Sequence, residues 1–596
     1  MTLHPAHPAE KPSPRPEDPM PVTRETLASV LEEIALLLEI QGENPFKTRA
    51  YRQGAEIVAG FDGDIVQRAM DNDLKGIKGI GDALQEKLHE LATTGKLGFH
   101  EKLRSQYPDT FFDLFEVENL GPKKVAALHK ELGIGSIPEL KAACESGAVA
   151  GLSGFGKKTE QNILEALARR EAFADRFRID SATHAAEMIL EMLQSHPDVL
   201  RAQYAGSLRR SKETIGDLDF IAATSKPAEL TKWFSRIDMA ESVIAQGDTK
   251  CSIRLENGLH CDLRAVSNAQ FPFALQYFSG SKEHNVALRS LALKKGLSLN
   301  EYGFTGEGEI PAVHDEAGIY KALGLEFVPP ELRENRGEIE AASKGELPRL
   351  VELENLRGTF HNHTTASDGR ATLEEMAEAA IDLGLRYLGI ADHSKASFQA
   401  NGLDEERLAK QIDDIHEWND RRGDELWIFA GSEVDILKDG SLDFPDEVLS
   451  RLDYTVASVH ASFTLDEKTM TRRIIRAMEN EHVTMLGHLT GRLLLRREAY
   501  AVNHDKIIDC AARTNTIIEL NCNPRRLDMD WRWWRKARDK GVLTSINPDA
   551  HRPEQFQFLK FGIGIARKGW LRKEDVLNTR SLDEVKDFLT TPKSRR

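Results

Sequence analysis

The sequence predicts a multidomain protein with an α-helical N-terminal region, an α+β middle region and a C-terminal distorted α/β barrel. Two observations support this division. A glycine-containing unit recurs between amphipathic helices in the first third of the chain, and after Gly358 short β-rich segments alternate with helices. Recurring units indicate repeated small motifs, and regular β–α alternation is typical of a parallel sheet or barrel. A chain of 596 residues has room for several such domains.

The composition is that of an ordinary globular protein, with 40% hydrophobic and 29% charged residues. We find no apolar segment of the kind that starts a secretory signal, and no apolar run long enough to cross a bilayer. Five scattered cysteines without CxxC spacing argue against a zinc ribbon and favour a reducing compartment. We therefore expect a cytoplasmic protein that does not bind membranes.

The net charge of -16 argues against DNA binding, because phosphate contacts need Lys and Arg. Acidic residues that bind metal ions would reduce this effective charge. Basic residues also cluster locally in pairs. Any single pair of this kind is also common on an ordinary solvated surface. The pairs are Lys123/Lys124, Lys157/Lys158, Arg169/Arg170 and Arg209/Arg210.

Three versions of a glycine turn lie in the helical region. They read IKGIGDALQEKL, VENLGPKKVAAL and LSGFGKKTEQNIL and begin at residues 77, 117 and 152. Glycine permits a left-handed turn and the close approach of a phosphate, towards which the next helix points its N–H groups. Such turns also occur as plain connections, but three copies favour binding of the DNA backbone, and they resemble helix-hairpin-helix motifs. The predicted backbone-binding residues are Gly79, Gly81, Gly121, Gly154 and Gly156.

Two acids alternate in the central segment GSLRRSKETIGDLDF (206–220). Asp217 and Asp219 would project from one face of a strand, and Asp262 in HCDLRAV offers a third carboxylate on a later β-like segment. Three carboxylates can hold two divalent ions for in-line phosphoryl transfer. An exposed strand with alternating acids would show the same DLD pattern. The Gly206-Ser207 turn upstream and the third Asp favour the metal site.

The middle region resembles the family X DNA polymerases, of which DNA polymerase beta is the familiar member. The shared pattern is GS, a pair of Arg and then GDxD, followed by YFSGSKEHNVALR (277–289), and it extends over residues 24–335. The resemblance implies that Asp217, Asp219 and Asp262 are catalytic metal ligands for Mg²⁺ or Mn²⁺. It also implies a nucleotide pocket formed by Gly206, Ser207, Arg210, Gly216, Tyr277, Phe278, Gly280, Asn285 and Arg289.

The first glycine unit carries a lysine that matches the lyase lysine of the beta-like enzymes. Lys87 in LQEKL occupies that place, and Lys47 and Tyr51 match auxiliary positions. Ala83 stands where those enzymes have a second Lys. Most lysines on helices are simply solvated. The resemblance therefore leaves deoxyribose-phosphate lyase activity as a hypothesis to test.

The C-terminal region concentrates His, Asp and Glu at the ends of its predicted strands. In an α/β barrel, functional residues gather at the C-terminal strand ends, and these side chains suit Zn²⁺, Mn²⁺ or Fe²⁺. Asp392 is the least certain ligand, and we expect it to orient a ligand histidine. The predicted ligands are His361, His363, Asp368, His393, Glu433, His460, His488, Asp549 and His551.

These residues resemble the ligand set of the polymerase-and-histidinol-phosphatase (PHP) domain, a TIM-like barrel that binds about three divalent metals. All nine ligand positions of that family are filled. The resemblance implies metal-assisted hydrolysis of a phosphoester. Asn521 and Arg492 are further candidates for contact with phosphate.

The sequence predicts a family X polymerase that fills short gaps during DNA repair and whose PHP domain is a 3′-5′ exonuclease, with abasic-site cleavage as an additional activity. Its expected partners are gapped or primer-template DNA and deoxynucleoside triphosphates, and we expect a monomer. Two alternatives remain open: a polymerase fused to a small-molecule phosphatase, and a non-catalytic DNA-end-binding scaffold. The predicted boundaries are a tail 1–21, a helical domain 22–100, a fingers-like domain 101–178, a palm 179–278, a thumb 279–335, a linker 336–357, the PHP domain 358–575 and a tail 576–596.

Overall fold

A computed structural model describes residues 22–59, 61, 64–77, 79–117, 120–173, 175–307 and 310–596. The chain divides into two compact units, Met1–Ala172 and Phe173–Arg596. The predicted disordered tail 1–21 lies outside the described residues, as do the side chains of the Arg169/Arg170 pair. Among the described residues, none of the helices combines the length and the apolar character needed to cross a membrane.

The first unit is helical over its described residues. Apolar residues recur every three or four positions along its first helix, so Leu27, Leu31 and Ile34 are fully buried in the core of this unit. That helix begins after Thr23, whose side chain accepts a hydrogen bond from the N–H of Thr26. Helices α1 to α8 are Arg24–Ile40, Pro45–Ala59, Ile65–Met70, Asp82–Thr94, Gly98–Arg104, Pro122–Leu132, Ile137–Glu145 and Gly156–Phe173.

The second unit begins with an α+β palm whose five-stranded sheet has the order β2-β4-β7-β6-β5. Strands β4 and β7 are parallel, and the other neighbours in this sheet are antiparallel. Strands β1 to β7 are Phe177–Arg178, Val199–Tyr204, Thr214–Ile215, Asp217–Thr224, Ala240–Gln246, Lys250–Leu255 and His260–Val266. Helices α9 to α12 are Ile179–Ser195, Gly206–Arg209, Pro227–Phe234 and Phe271–Ser279.

The thumb packs around α13 (Lys282–Lys294), strands β8 (Leu297–Asn300) and β9 (Gly303–Gly306), and α14 (Glu316–Ala322). The predicted linker differs from expectation, because it contains a helix, α15 (Glu338–Lys344).

Glu338, the first residue of α15, is fully buried and accepts a hydrogen bond from His284 Nδ1 at 2.6 Å. The carboxylate of Glu338 also accepts from the N–H groups of Asn335 and Arg336. These bonds satisfy a buried charge, so this segment is part of the thumb and does not connect the domains loosely.

The C-terminal domain is a seven-stranded parallel barrel in which strands adjacent in sequence are adjacent in space, from β10 to β16. A parallel bridge between Asn362 and Ala550, just after the first and last strands, nearly closes it. Strands β10 to β16 are Gly358–Thr359, Tyr387–Ile390, Trp427–Asp435, Tyr454–Ser458, Met485–Leu486, Ile517–Asn521 and Thr544–Asn547. Helices α16 to α23 are Leu373–Asp382, Glu405–Arg422, Asp446–Leu449, Glu467–Met478, His504–Thr514, Trp534–Asp539, Leu559–Lys568 and Leu582–Thr590.

The last segment, 576–596, is packed, and its prediction as a tail is corrected. Helix α23 places Val585 and Leu589 against Tyr387, Tyr454 and Met485, which lie at the N-terminal ends of the barrel strands. Burial of this apolar stripe provides the stabilisation that a polar tail would lack. The helix covers the end of the barrel opposite to the predicted metal ligands.

Candidate active sites

Three carboxylates converge at one end of the palm sheet. Strands β4 and β7 run parallel, and Asp219 lies directly beside Asp262 in their register. Asp217 precedes Asp219 by two residues in β4, so its side chain projects from the same face. Lys250 Nζ lies 2.7 Å from Asp262 Oδ2. The fold therefore gathers the three predicted catalytic carboxylates.

These carboxylates repel one another and favour cations between them. Burial, together with the charges of Asp217 and Asp262, raises the pKa of Asp219 to about 7. Divalent cations reverse such a shift by stabilising the anion. Oxygen ligands on one face suit Mg²⁺ or Mn²⁺, so the donor set fits the two ions of a phosphoryl-transfer site. When bound, such ions neutralise charge that develops on the transferred phosphoryl group.

Gly206 sets the contact between helix α10 and Asp219. Its φ of +63° lies in the left-handed region, and a Cβ built on it would lie 2.4 Å from Asp219 Oδ2. The N–H of Ala205 also donates to the carbonyl of Asp219 at 2.7 Å. Glycine at this position therefore allows both the turn and the observed carboxylate position.

The residues predicted to bind the nucleotide surround this end of the sheet. Ser207, Arg210 and Gly216 line one cavity with Asp217. Beside them, the rings of Tyr277 and Phe278 pack edge to face with centroids 5.1 Å apart, and Gly280 ends the same helix with φ +66°.

Asn285 and Arg289 lie one turn apart on α13 and so share a face of that helix. Asn285 Nδ2 donates to the carbonyl of Tyr277 at 2.7 Å, and its Oδ1 accepts from Gln276 Nε2 at 2.9 Å. Arg289 is exposed. The amide of Asn285 is thus fixed in place, whereas the guanidinium of Arg289 faces solvent.

Arg210 lines this cavity, and protein groups hold its guanidinium there. Its Nε donates to Glu334 Oε1 at 3.0 Å, and its Nη1 donates to the carbonyl of Ser279. The structure therefore places Arg210 at the nucleotide cavity but binds it to the thumb.

Glu334 also binds the barrel domain, through the last residue of α22. Lys568 is 1% exposed, and its Nζ donates to Glu334 Oε1 at 2.5 Å and to the carbonyl of Arg210 at 2.9 Å. Burial lowers the pKa of Lys568 to about 8. Burial opposes ionisation of Glu334 as well, but Lys568 and Arg210 hold its pKa at about 2. Both groups are charged at neutral pH, so a buried ion pair joins palm, thumb and barrel.

Lys568→Met is expected to destabilise the second unit by roughly 3 kcal/mol, because it leaves Glu334 with fewer partners in a buried place. The measurement is the thermal unfolding midpoint. Lys560→Met on the same helix is the matched control, because that side chain is 38% exposed and its ion pair with Glu187 lies at the surface. Equal midpoints for the two variants would contradict this role of Lys568.

The glycines of the three predicted DNA-backbone motifs have two kinds of backbone conformation. Gly79, Gly154 and Gly156 have left-handed backbones, with φ of +96°, +85° and +68°. Gly81 and Gly121 instead precede α4 and α6 with extended backbones, and a Cβ on either would meet nothing within 4 Å. At those two positions the absence of a side chain leaves the N–H groups at the helix N-terminus accessible. The turn itself does not require glycine there.

The predicted lyase residues share one aromatic ring. Lys87 Nζ and Lys47 Nζ lie 5.4 and 5.6 Å from the centroid of Phe99, and Tyr51 stacks on the same ring at 6.1 Å. Lys87 Nζ also donates to the carbonyl of Ala83 at 3.2 Å. The structure thus brings Lys87 and its two predicted auxiliary residues together.

The nine predicted ligands of the barrel form one connected cluster at the C-terminal ends of the strands. Three overlapping groups have ligand atoms within 4.8 Å of one another: His361 with His363 and Glu433, His393 with Glu433 and His460, and His363 with Asp368, His393 and His551. His488 Nε2 lies 2.9 Å from Glu433 Oε1, and Asp549 Oδ1 lies 3.3 Å from His363 Nε2.

The donor set of this cluster fits metal ions. Several buried imidazole nitrogens have no hydrogen-bond partner: His361 Nε2, both nitrogens of His363, and the Nδ1 atoms of His393 and His488. An unsatisfied buried polar atom costs about 1–3 kcal/mol, so such atoms call for a ligand. Neutral imidazole nitrogens beside carboxylates are what Zn²⁺, Mn²⁺ and Fe²⁺ bind.

Electrostatics leads to the same conclusion. Burial, with the charge on His551, lowers the pKa of His363 to about 4, which leaves this imidazole neutral. Burial acts the same way on His393, but Glu433 and Asp368 outweigh it and raise its pKa to about 10. The carboxylates therefore draw positive charge into the cluster, and metal ions can supply that charge in place of protons.

Two carboxylates that hold the ligand histidines were missed by the sequence reading. Glu519 accepts from His361 Nδ1 at 2.6 Å and from the N–H of His488 at 2.8 Å. Asp435 Oδ1 lies 3.1 Å from His460 Nδ1. Such carboxylates fix the tautomer and orientation of metal-binding histidines. The signal for Glu519 was an acid inside the otherwise apolar strand TIIELN (516–521).

Asp392 is outside the three ligand groups, and it accepts hydrogen bonds from Thr364 and Gln411. It therefore fixes the loop after β10, and its expected role of orienting a ligand histidine is not what this geometry shows.

The two residues expected to contact phosphate have protein partners. Asn521 is buried and donates to Asp549 Oδ2 at 3.0 Å, so it holds a predicted ligand. Arg492 donates to the carbonyl of Arg526 at 2.8 Å. Arg526 lines the cavity over the cluster in its place.

The fold and its two centres define a class of protein: a nucleotidyltransferase with a thumb, joined to a metal-dependent phosphoesterase barrel. Models of known families match the corresponding segments. They are described as helix-hairpin-helix domain (residues 23–97), SAM-like helix-hairpin-helix tandem (111–169), DNA polymerase beta thumb (274–334) and PHP domain (359–523).

Curated relatives extend these matches over almost the whole chain. The chain is 40% identical over 570 residues to DNA polymerase/3′-5′ exonuclease PolX of Bacillus subtilis (strain 168), covering 95% of this chain and 99% of that protein. The chain belongs to this family of PHP-containing family X DNA polymerases.

More distant relatives match part of the chain. DNA polymerase lambda of Rattus norvegicus is 23% identical over 336 residues, which is 51% of this chain and 55% of that protein. A probable phosphatase of Thermoanaerobacter sp. (strain X514) is 25% identical over 250 residues, covering 39% of this chain and 95% of that protein.

Proposed function

We propose that the protein is a DNA-directed DNA polymerase that fills short gaps during repair and removes nucleotides from 3′ ends with its PHP domain. The observation that carries the first activity is the register of Asp219 beside Asp262, with Asp217 on the same face. The connected cluster of nine ligands supports the second activity. Membership of the PolX family supports both together.

We also propose which ions the two centres bind and which substrates the protein uses. Asp217, Asp219 and Asp262 hold Mg²⁺ or Mn²⁺, and the PHP cluster holds about three divalent ions from among Mn²⁺, Zn²⁺ and Fe²⁺. The substrates are gapped or primer-template DNA and deoxynucleoside triphosphates, with abasic sites as additional substrates. The protein acts as a monomer.

A primer-extension and degradation time course tests the two activities. The substrate is a 5′-labelled primer in a one- to five-nucleotide gap, with Mg²⁺ or Mn²⁺ and with or without deoxynucleoside triphosphates. We expect extension when nucleotides are present and shortening from the 3′ end when they are absent. A chain that binds this DNA but neither extends nor shortens the primer would be the end-binding scaffold.

A small-molecule phosphatase remains a second candidate for the barrel, because 39% of this chain covers 95% of a probable phosphatase. The discriminating measurement is hydrolysis of histidinol phosphate against a 3′-recessed duplex. Faster release of phosphate from histidinol phosphate than of nucleotides from DNA would favour the phosphatase.

Gly206→Ala is expected to slow nucleotide incorporation at least about tenfold, because the added Cβ displaces the Asp219 carboxylate and the left-handed backbone costs an L residue about 1–2 kcal/mol. Single-nucleotide incorporation is the measurement. Gly258→Ala is the matched control, since Gly258 also has positive φ (+87°) but the nearest atom, Arg254 Nη2, would lie 3.6 Å from a Cβ. Equal slowing in both variants would assign the effect to backbone strain alone.

Lys87→Ala is expected to abolish borohydride trapping of a 5′-deoxyribose-phosphate end, because a Schiff base needs the lysine amine. Lys96→Ala serves as the control, since that lysine is 77% exposed and pairs with Glu101 at the surface. If Lys87→Ala formed as much trapped adduct as wild type, Lys87 would not be the Schiff-base lysine.

A further inference from the structure

The cavity over the PHP cluster carries a large aromatic side chain at its rim. Phe398 is 78% exposed, although it lines the same cavity as His393, Glu433 and His460. Single exposed apolar residues are common on protein surfaces and need no explanation by themselves. The position of Phe398 beside the predicted ligands is what distinguishes it.

The backbone that presents Phe398 is held in place on both sides. Ser397 Oγ donates to Asp435 Oδ2 at 2.5 Å, and Asp435 also contacts the ligand His460. Beyond the 3₁₀ turn Phe398–Ala400, the N–H of Leu403 donates to the carbonyl of His393 at 2.7 Å. The loop is therefore held next to two predicted ligand histidines, and the backbone at Phe398 has a fixed place relative to them.

A glycine allows the two sides of this loop to approach each other closely. A Cβ at Gly402 would lie 2.0 Å from the carbonyl oxygen of Ser394. The two arms of the loop thus approach each other more closely than any other residue would allow. The short distance between the arms keeps the turn, and with it Phe398, next to the cavity.

The cavity therefore combines two kinds of surface. Its floor holds the predicted ligands, and Arg526 adds a cation whose Nε lies 3.7 Å from Asp549 Oδ2. Its rim offers the apolar face of Phe398. A phosphodiester suits the floor, and a planar base attached to that phosphate by its sugar suits an aromatic rim.

We propose that Phe398 is a stacking platform for the terminal nucleobase of a single-stranded 3′ end whose last phosphodiester lies over the PHP cluster. The inference rests on the proposed exonuclease function and names its substrate subsite. Placing the last phosphodiester over the cluster while its base stacks on Phe398 requires the terminal nucleotide to leave the duplex, so the platform favours frayed, mismatched or single-stranded ends.

Binding is tested first, without reliance on cleavage. The probe is a single-stranded oligonucleotide with 2-aminopurine as its 3′-terminal base and a phosphorothioate at the last linkage, mixed with the metal-loaded full chain. We expect the fluorescence of 2-aminopurine to change on binding to wild type and to Phe398→Tyr, but to stay near that of the free strand with Phe398→Ala. A full change with Phe398→Ala would overturn the proposal.

Cleavage is tested second, on strands that end in a normal nucleotide or in an abasic residue. Wild type is expected to remove the normal end roughly tenfold faster, the scale of one base stacked on an aromatic side chain. That ratio is expected to fall to about one in Phe398→Ala and to recover in Phe398→Tyr. Leu383→Ala is the matched control, because Leu383 is a 58% exposed apolar residue of the same domain.

The outcomes separate this inference from the proposed function. If wild type removes 3′ nucleotides and Phe398→Ala keeps the tenfold preference, the platform is wrong and the exonuclease stands. If wild type removes none, the exonuclease is wrong, and the 2-aminopurine measurement alone then decides whether Phe398 stacks on a base. Thermal unfolding of Phe398→Ala is expected to match wild type, because the ring contributes little buried surface.

Discussion

Asp219→Asn is expected to abolish primer extension and to leave 3′-5′ degradation at the wild-type rate. Asp219 lies between Asp217 and Asp262, and burial with their charges raises its pKa to about 7, so it is the carboxylate most dependent on bound cations. A neutral amide cannot supply that ionic contact. Loss of one electrostatic element of phosphoryl transfer costs on the order of a thousandfold in rate. Single-turnover incorporation on gapped DNA is the measurement.

Asp198→Asn is the control for this change. Asp198 pairs with Lys226 at the surface, and the adjoining Val199 pairs with Thr224, at the opposite end of β4 from Asp217. Extension by Asp219→Asn at more than a tenth of the wild-type rate would remove Asp219 from the catalytic set. Loss of degradation along with extension would mean that the two centres do not act separately.

Glu433→Gln is expected to abolish 3′-5′ degradation and to leave primer extension intact. Glu433 is the shared member of two ligand groups, and although burial opposes its ionisation, His460, His361 and His393 hold its pKa well below the ordinary value. Gln keeps the volume but removes the charge. We expect at least about a hundredfold loss of activity, together with fewer metal ions per chain.

The number of metal ions bound per chain is measured by mass spectrometry. This number would not change if Glu433 had only a structural role. Glu447→Gln on the exposed face of α18 is the control. Retention of both metal content and degradation in Glu433→Gln would contradict its place in the centre. Loss of metal with full degradation would separate the bound ions from the chemistry.

Most of the sequence-based predictions depend on the spacing of residues that lie close together in the sequence. The pair Asp217 and Asp219 could be placed on one face because a strand alternates its side chains. The barrel strands could be located because parallel strands buried on both faces are continuously apolar. Their ends then indicated the nine predicted ligands, since eight of them follow a strand and Glu433 lies near the end of β12.

What the sequence did not reveal depends on distant contacts. Glu334 and Lys568 meet across 234 residues, and nothing in either neighbourhood marks a buried ion pair. The segments 336–357 and 576–596 are predicted from the sequence as a linker and a tail. Each contains a packed α-helix: α15 buries Glu338, Ala341 and Ala342, and α23 buries Val585 and Leu589.

The buried contact of Lys568 with Glu334 also bears on how such a protein can evolve. A lineage that discarded its barrel domain would leave Glu334 without the ammonium group and would lose the donor to the Arg210 carbonyl. Loss of the domain would therefore be better tolerated after a substitution that removes the charge of Glu334. Degeneration of the nuclease should therefore proceed by erosion of individual ligands while the domain itself is inherited as a scaffold.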